Sequence, residues 1–304
     1  MFASLLVGLA LAASPMPPGE RAACHDRYGQ RICTTPALAP LRAEIAQKFA
    51  AVLATGNRSA TWQARHDAVL REVKGGRDYE SKRLSDDGIA QIFRDHIADL
   101  DKAIEQAKGV RTMVKTPSAT GDICMSKWLD RGCRVTASGV LRAKDGRKIY
   151  WQMQDGASGL DGIGAGIILW AGSGYGTAKL IGYSFDGVTY ESPRMTGDGM
   201  IWVPGRVIGT GNGNADLLFR FNAVAGWGDI ELESWWSTLP ARLPKGFGVW
   251  KGVEYDFEGL AATSKLWRDK DPNCCPSGGE VMLDFEIEGR KLVLNDVRPD
   301  IVEK

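Results

Sequence analysis

Histidine is nearly missing from this 304-residue chain: His25, His66 and His96 are the whole supply, and none follows residue 100. A Ser-His or Cys-His nucleophile in the C-terminal two-thirds would need a base from the N-terminal part, which argues against triad chemistry there. Zinc is disfavoured too, because no C-x-x-C pair or set of partner histidines is present. Net charge is also lacking. At +1, with no long basic run, the chain has no electrostatic footprint for a phosphate backbone, so nucleic acid is not an expected partner. The glycine cluster over residues 156–176 has no Gly-Lys-Ser/Thr ending and no helix after it, which excludes a phosphate loop and a dinucleotide fingerprint. Ser173 does not sit in a Gly-x-Ser-x-Gly elbow. No cofactor is expected.

Long apolar runs are missing as well. The one at the start, residues 5–11, is stopped by Pro15, Pro17 and Pro18, too early for the roughly 20 residues of a membrane span. Ending in Ala10-Leu11-Ala12-Ala13, it reads as a signal peptide over residues 1–12. The expectation is a periplasmic or extracellular product with no transmembrane segment in the mature chain. The context of Cys24 is poor for lipoprotein cleavage. Six cysteines in an exported chain favour disulfides over free thiols.

With 44% hydrophobic residues the chain can bury a core. Residues 36–108 have helical periodicity: Leu38, Leu41, Ile45, Phe49 and Val52 recur at three- and four-residue steps, and so do Ile89, Ile92, Phe93, Leu100 and Ile104. Trp62, Val69 and Val73 mark a shorter helix ended by Gly75-Gly76. Such faces predict a small bundle. Cys24, the run Ile32-Cys33-Thr34-Thr35-Pro36-Ala37-Leu38, the following Ile45, Phe49 and Leu53, and Trp62 with Arg65 and Asp67 resemble the N-terminal module of the LprI-type lysozyme inhibitors over about a quarter of the chain. The resemblance covers residues 24–108 and implies an exported cell-envelope protein; a lysozyme-like protein is the partner it suggests. Where that family's pattern has a further Cys, this chain has Val69 or its neighbours, and the resemblance then implies a Cys24 to Cys33 bridge.

Residues 109–121 gather Thr, Pro, Ser and Gly and read as a linker. Residues 122–304 read as an all-β domain. Strand-like runs at 134–143, 148–154, 167–171, 180–185, 200–203, 217–222, 229–236, 248–257, 280–287 and 291–297 are separated by glycine-rich turns, two of them Asp-Gly. The fold class expected is α+β: a small N-terminal helical bundle, then a mostly antiparallel β-sandwich or barrel. Local cysteine pairing would join Cys124 to Cys133 and Cys274 to Cys275. The alternative sends Cys274 and Cys275 to Cys124 and Cys133, and is preferred because adjacent cysteines form a strained ring. All fifteen connectivities remain open at this point.

Nine of the ten tryptophans follow residue 127. Most should be core, but Trp227, Trp235 and Trp236 are candidates for a ligand platform, since consecutive strand residues face opposite sides. On a strand, Asp229, Glu231 and Glu233 would share one face, with neighbouring members about 6.6 Å apart along it. That spacing is near the separations of about 5 to 9.5 Å that glycosidase carboxyl pairs use, although a solvated strand face gives the same pattern. Asp216, with Asn212 and Asn214, is a weak candidate for a calcium loop, against an ordinary Gly-Asn turn. The reading favours an envelope protein that binds a protein or glycan without catalysis. A glycoside hydrolase working through the acidic strand, and a structural envelope component, are the alternatives.

Overall fold

The computed structural model describes residues 32–76, 83–115, 120–159, 162–173, 175–185, 188–207 and 213–302. The expected signal peptide, Cys24 and Asn212 lie outside the described residues. The architecture is α+β, helices first and then antiparallel sheets.

Among the described residues a short helical stretch at residues 32–34 is followed by α1 (Ala39–Ala54), α2 (Ser59–Gly75) and α3 (Asp86–Gly109). Their apolar stripes meet as the periodicity predicts. Leu38, Ile45, Val52, Val73, Ile89, Phe93 and Leu100 form one buried core, with Leu41, Phe49, Trp62 and Ile104 packed at its margin. The α3 start is built locally: the Ser85 hydroxyl accepts from the Gly88 N–H, and Asp86 and Asp87 lie in the first turn. The α2 end uses Gly76 at φ +64°, a left-handed position that glycine takes without a Cβ penalty.

Between these helices His66 Nδ1 lies 3.1 Å from His96 Nε2, and the His66 ring stacks on Phe49 at 4.0 Å and 11°. One nitrogen must donate and the other accept, so the pair is satisfied when both rings are neutral. Burial pushes His66 down to about 4; His96 and Arg42 add to the shift and Asp67 opposes it. Burial also lowers His96, against Asp99. Unfolded histidine binds its proton near pH 6.5, whereas folded His66 resists it until about 4, so the unfolded state holds more protons between those values. Stability should therefore be full above pH 6.5 and decline as pH falls toward 4. The loss is on the order of 2 kcal/mol once partial solvent access is discounted. Denaturation midpoints across this window, compared with His66→Phe, check it. An equal slope in the variant would show that other groups carry the acid response.

The β part has three antiparallel sheets among the described residues, plus one short pair. The first has the order β1 (Met113–Val114), β5 (Ala178–Ser184), β4 (Gly162–Gly172), β3 (Lys148–Ser158), β2 (Arg131–Arg142). The second is β11 (Gly226–Ile230), β10 (Leu217–Asn222), β8 (Ile201–Val203), β7 (Arg194–Met195). The third is β12 (Phe247–Gly248), β14 (Ala261–Arg268), β15 (Gly279–Glu288), β16 (Lys291–Ile301), with β13 (Glu254–Asp256) also on β14. The short pair is β6 (Val188–Tyr190) with β9 (Gly205–Val207).

Burial follows from this layering. Ile167 and Leu169 on β4 pack toward Phe219 and Ile201 of the second sheet, while Ile168 and Trp170 pack on the opposite face with Met125 and Leu129. A strand covered on both faces reads as an unbroken apolar run, which is what β4 shows. Of the stretch read as a linker, Val110 bridges to Ser126 and Met113–Val114 is the edge strand on β5, with Val110 and Val114 buried in the same core.

Two expectations are corrected. Cys124 pairs with Cys133 and Cys274 with Cys275, so the preferred cross-links between those pairs do not form. Cys124 and Cys133 lie 6.5 Å apart at Cα, within bridging reach, and Cys274-Cys275 sits in the β14–β15 turn of a different sheet. Cys33 is also disulfide-bonded. The strand expected over 229–236 stops at Ile230, and Ser234–Ser237 forms a 3-10 helix. The cause is Glu231, whose side chain captures the backbone that a strand would have paired.

Candidate functional site

Asp229 and Glu231 are buried and do not lie on a solvated face. Asp229 is buried and caps α2 from the β part: its Oδ2 accepts from the Thr61 N–H and the Thr61 hydroxyl, both at 2.8 Å, and its Oδ1 accepts from the Ala60 N–H at 3.2 Å. The helix lacks a cap of its own because Arg58, at the N-cap, makes no side-chain capping bond. Arg290 completes the joint. Its guanidinium pairs with the Asp229 carboxylate, and it donates to the Asp229 carbonyl and to the Ser59 hydroxyl at 3.0 Å each. Beside it, Asn57 Oδ1 accepts from the Tyr183 N–H of β5 at 3.0 Å. Next to it Gly182 lets the Phe219 ring pack close, since a Cβ there would lie 2.6 Å from that ring.

Glu231 is fully buried and acts as the cap of the 3-10 helix. Its Oε1 accepts from the Glu233 and Ser234 N–H groups, and its Oε2 from the Ser234 hydroxyl. Only Glu233 of the three acids stays exposed, paired with Arg65 of α2 at 3.3 Å. The acidic alternation thus encodes two buried caps and one surface ion pair.

The predicted tryptophans separate in the same way. Trp235 is core, stacked on Trp236 at 4.3 Å and 21°, with its Nε1 donating to the Tyr255 hydroxyl at 3.2 Å. Because they lie on a 3-10 helix, the two rings stack and do not face opposite sides. Trp236 is half-buried and turns into a cleft. Trp227 packs instead beside Phe221 and Arg147, away from that cleft.

The cleft, about 550 Å³, runs between α2 and the β part. Ala64 and Ala68 line its helical wall, and their small side chains leave it open. Trp236, Trp250 and Tyr255 line the facing wall. Trp250 is 49% exposed and stacks on Trp267 at 5.9 Å and 12°, so one of its faces is supported and the other is accessible. Arg58, Arg65, Arg71 and Lys251 also reach the cleft. Arg58 does so from φ +48°, a conformation that a non-glycine residue holds only when its surroundings impose it.

Asp216 lines the cleft as well. The Trp202 Nε1 and Asn214 Nδ2 donate to its two oxygens at 2.9 Å each, so both are engaged by side chains; Asn212 and the glycines before it in the candidate calcium loop lie outside the described residues. Burial pushes its carboxyl up, against those two hydrogen bonds. Burial also raises the Tyr255 phenol, which stays neutral. Among the described residues no group of three or more His, Cys, Asp or Glu is placed to hold a metal, and no helix is long and apolar enough to cross a membrane.

Of the site residues singled out from the sequence, Asp216, Glu231, Glu233 and Trp236 line the cleft, and Trp250, Tyr255 and the arginines beside it were not among them. Part of the signal for the arginines was present, since Arg58 and Arg65 are seven residues apart, about two helical turns, but Arg71 lies six residues further on and is turned away from them around the helix. No family model and no curated protein matches the chain.

Proposed function

We propose that the protein is a non-catalytic binding protein of an exported compartment, and that its ligand is a glycan held between α2 and the Trp236–Trp250 wall. The observation that carries this is the cleft itself. Indole and phenol faces beside hydrogen-bonding side chains suit a sugar ring, which has an apolar face and a polar edge, and the volume lies in the range of small-ligand sites. The expectation of export rests on the N-terminal apolar run and the cysteines. Binding of a lysozyme-like protein, which the N-terminal resemblance implies, is a separate outcome of the same titrations.

Calorimetric titration with cell-wall and plant-type oligosaccharides tests this reading. Trp250→Ala should weaken binding by about tenfold or more, because it removes an exposed aromatic anchor at little structural cost. No binding to any of these glycans, or unaltered binding in that variant, would sink the proposal. A hydrolytic reading retains one observation of its own: Asp216, with its carboxyl raised by burial, shares the cleft with Glu233. Release of reducing ends by the wild type but not by Asp216→Asn would establish catalysis in place of simple binding.

A further inference from the structure

We infer that the bonded neighbours Cys274 and Cys275 form a thiol–disulfide exchange site, a two-electron acceptor for an external dithiol, independent of what fills the cleft. Access is the first reason. Both cysteines are exposed in the turn between β14 and β15, whereas Cys124 and Cys133 are half-buried. An attacking thiolate must reach a sulfur, so exposure decides which bridge exchanges first. Covalent geometry is the second. Neighbouring residues hold their Cα atoms 3.8 Å apart, below the roughly 4.4 to 6.8 Å of ordinary bridges, and the bond closes a small ring through the peptide between them. Cys124 and Cys133, at 6.5 Å, lie within that range. Exposed and strained bridges are the more easily reduced ones.

The third reason is that the turn does not need the bridge. Asp271 Oδ2 accepts from the Arg268 N–H at 2.8 Å and the Ser277 N–H at 2.7 Å, and its Oδ1 accepts from the Ser277 hydroxyl at 2.7 Å, so one carboxylate ties both ends of the loop 271–277. The Cys275 N–H donates to the Pro272 carbonyl at 3.0 Å, and the Gly278 N–H donates to the Leu266 carbonyl at 2.9 Å. Pro272 and Pro276 fix φ on either side of the pair. None of these restraints runs through a sulfur. The base of the turn therefore persists when the bridge opens, and the site can cycle while the sheet stays folded.

In the exchange, a thiolate of the dithiol attacks one cysteine sulfur and bonds to it. The bond between Cys274 and Cys275 breaks, its electron pair leaving on the other cysteine as a thiolate. The dithiol's second thiolate then attacks its own sulfur in that mixed disulfide, closes a disulfide within the reagent and releases the second cysteine. Two electrons, with two protons exchanged through water, pass from the dithiol to the pair, and a second disulfide compound reverses the step.

Native protein treated with increasing dithiothreitol, alkylated and mapped by peptide mass spectrometry tests this. Cys274 and Cys275 should be modified at a concentration about tenfold or more below that needed for Cys124 and Cys133, with far-ultraviolet circular dichroism unchanged, and oxidised glutathione should restore the bridge. Reduced thioredoxin, used as a second donor, separates a protein dithiol from a small one. Cys274→Ser combined with Cys275→Ser should remove the early thiols and keep the thermal midpoint within about 2 °C of the wild type. Modification of all four cysteines at one concentration overturns the site, as do free thiols at 274 and 275 before any reductant is added. Loss of far-ultraviolet signal on mild reduction, or a midpoint in the double variant lowered well beyond that margin, makes the bridge a staple and overturns the inference as well.

Discussion

Replacing Asp229 with Ala should lower the unfolding free energy by about 3 kcal/mol, a large share of a domain's net stability. The substitution strips acceptors from the Ala60 and Thr61 N–H groups and the Thr61 hydroxyl at a site where Asp229 is only 4% exposed. Each buried donor left without a partner costs on the order of 1 kcal/mol or more. Arg290 softens the loss because it is 46% exposed and can turn to water. Asp229→Asn keeps one acceptor oxygen and should lose about half as much. Glu233→Ala, which breaks only a surface pair, should change stability by less than about 0.5 kcal/mol. Denaturant titrations of the three variants give the ranking directly. If Asp229→Ala matched Glu233→Ala, the cap would have no energetic role and the joint between the helices and the β part would have to be sought elsewhere.

Glu231→Ala should act on both stability and binding. Burial of this carboxylate is complete, and its removal frees the Glu233 and Ser234 N–H groups that begin the 3-10 helix. A loss of about 2 to 3 kcal/mol follows from those unmet donors and the cavity left behind. The distinguishing effect is on the wall: Trp235 and Trp236 stand on this short helix, so their stacked geometry goes with it. Near-ultraviolet circular dichroism should lose tryptophan signal while far-ultraviolet signal is largely kept, and ligand affinity should fall by more than Trp250→Ala alone causes. Native tryptophan signal and native affinity in this variant would show that the 3-10 helix is held by its packing and not by its cap.

Where side-chain period determined structure, the sequence was readable. Leu38, Ile45 and Val52, or Ile89, Phe93 and Leu100, are buried because helical spacing places them on one stripe, and no distant partner had to be known. The run 280–287 became most of β15 for the equivalent reason at period two, with Val281, Leu283 and Phe285 buried in alternation. Reading failed where one side chain overrode the period. Residues 229–236 alternate like a strand, but Glu231 bonds its own downstream N–H groups, and that competition depends on burial against β16 and Arg290. The cleft was hidden for another reason. Trp250 and Arg71 are 179 positions apart in sequence, and no local rule joins them until α2 is docked by Asp229 and Asn57.

The two disulfides within the β part have a consequence for the unfolded chain. They close spans of nine residues and one residue, so they leave the denatured polymer almost linear. In the loop-entropy picture a bridge over about ten residues is worth roughly 3 kcal/mol, against about 5 for one tying β2 to the β14–β15 turn. The order of the sheets is thus left to burial and hydrogen bonding, and no covalent link records which strand belongs beside which. A chain built this way can find its topology before its cysteines oxidise, and scrambled long-range pairings would have to be undone rather than preserved.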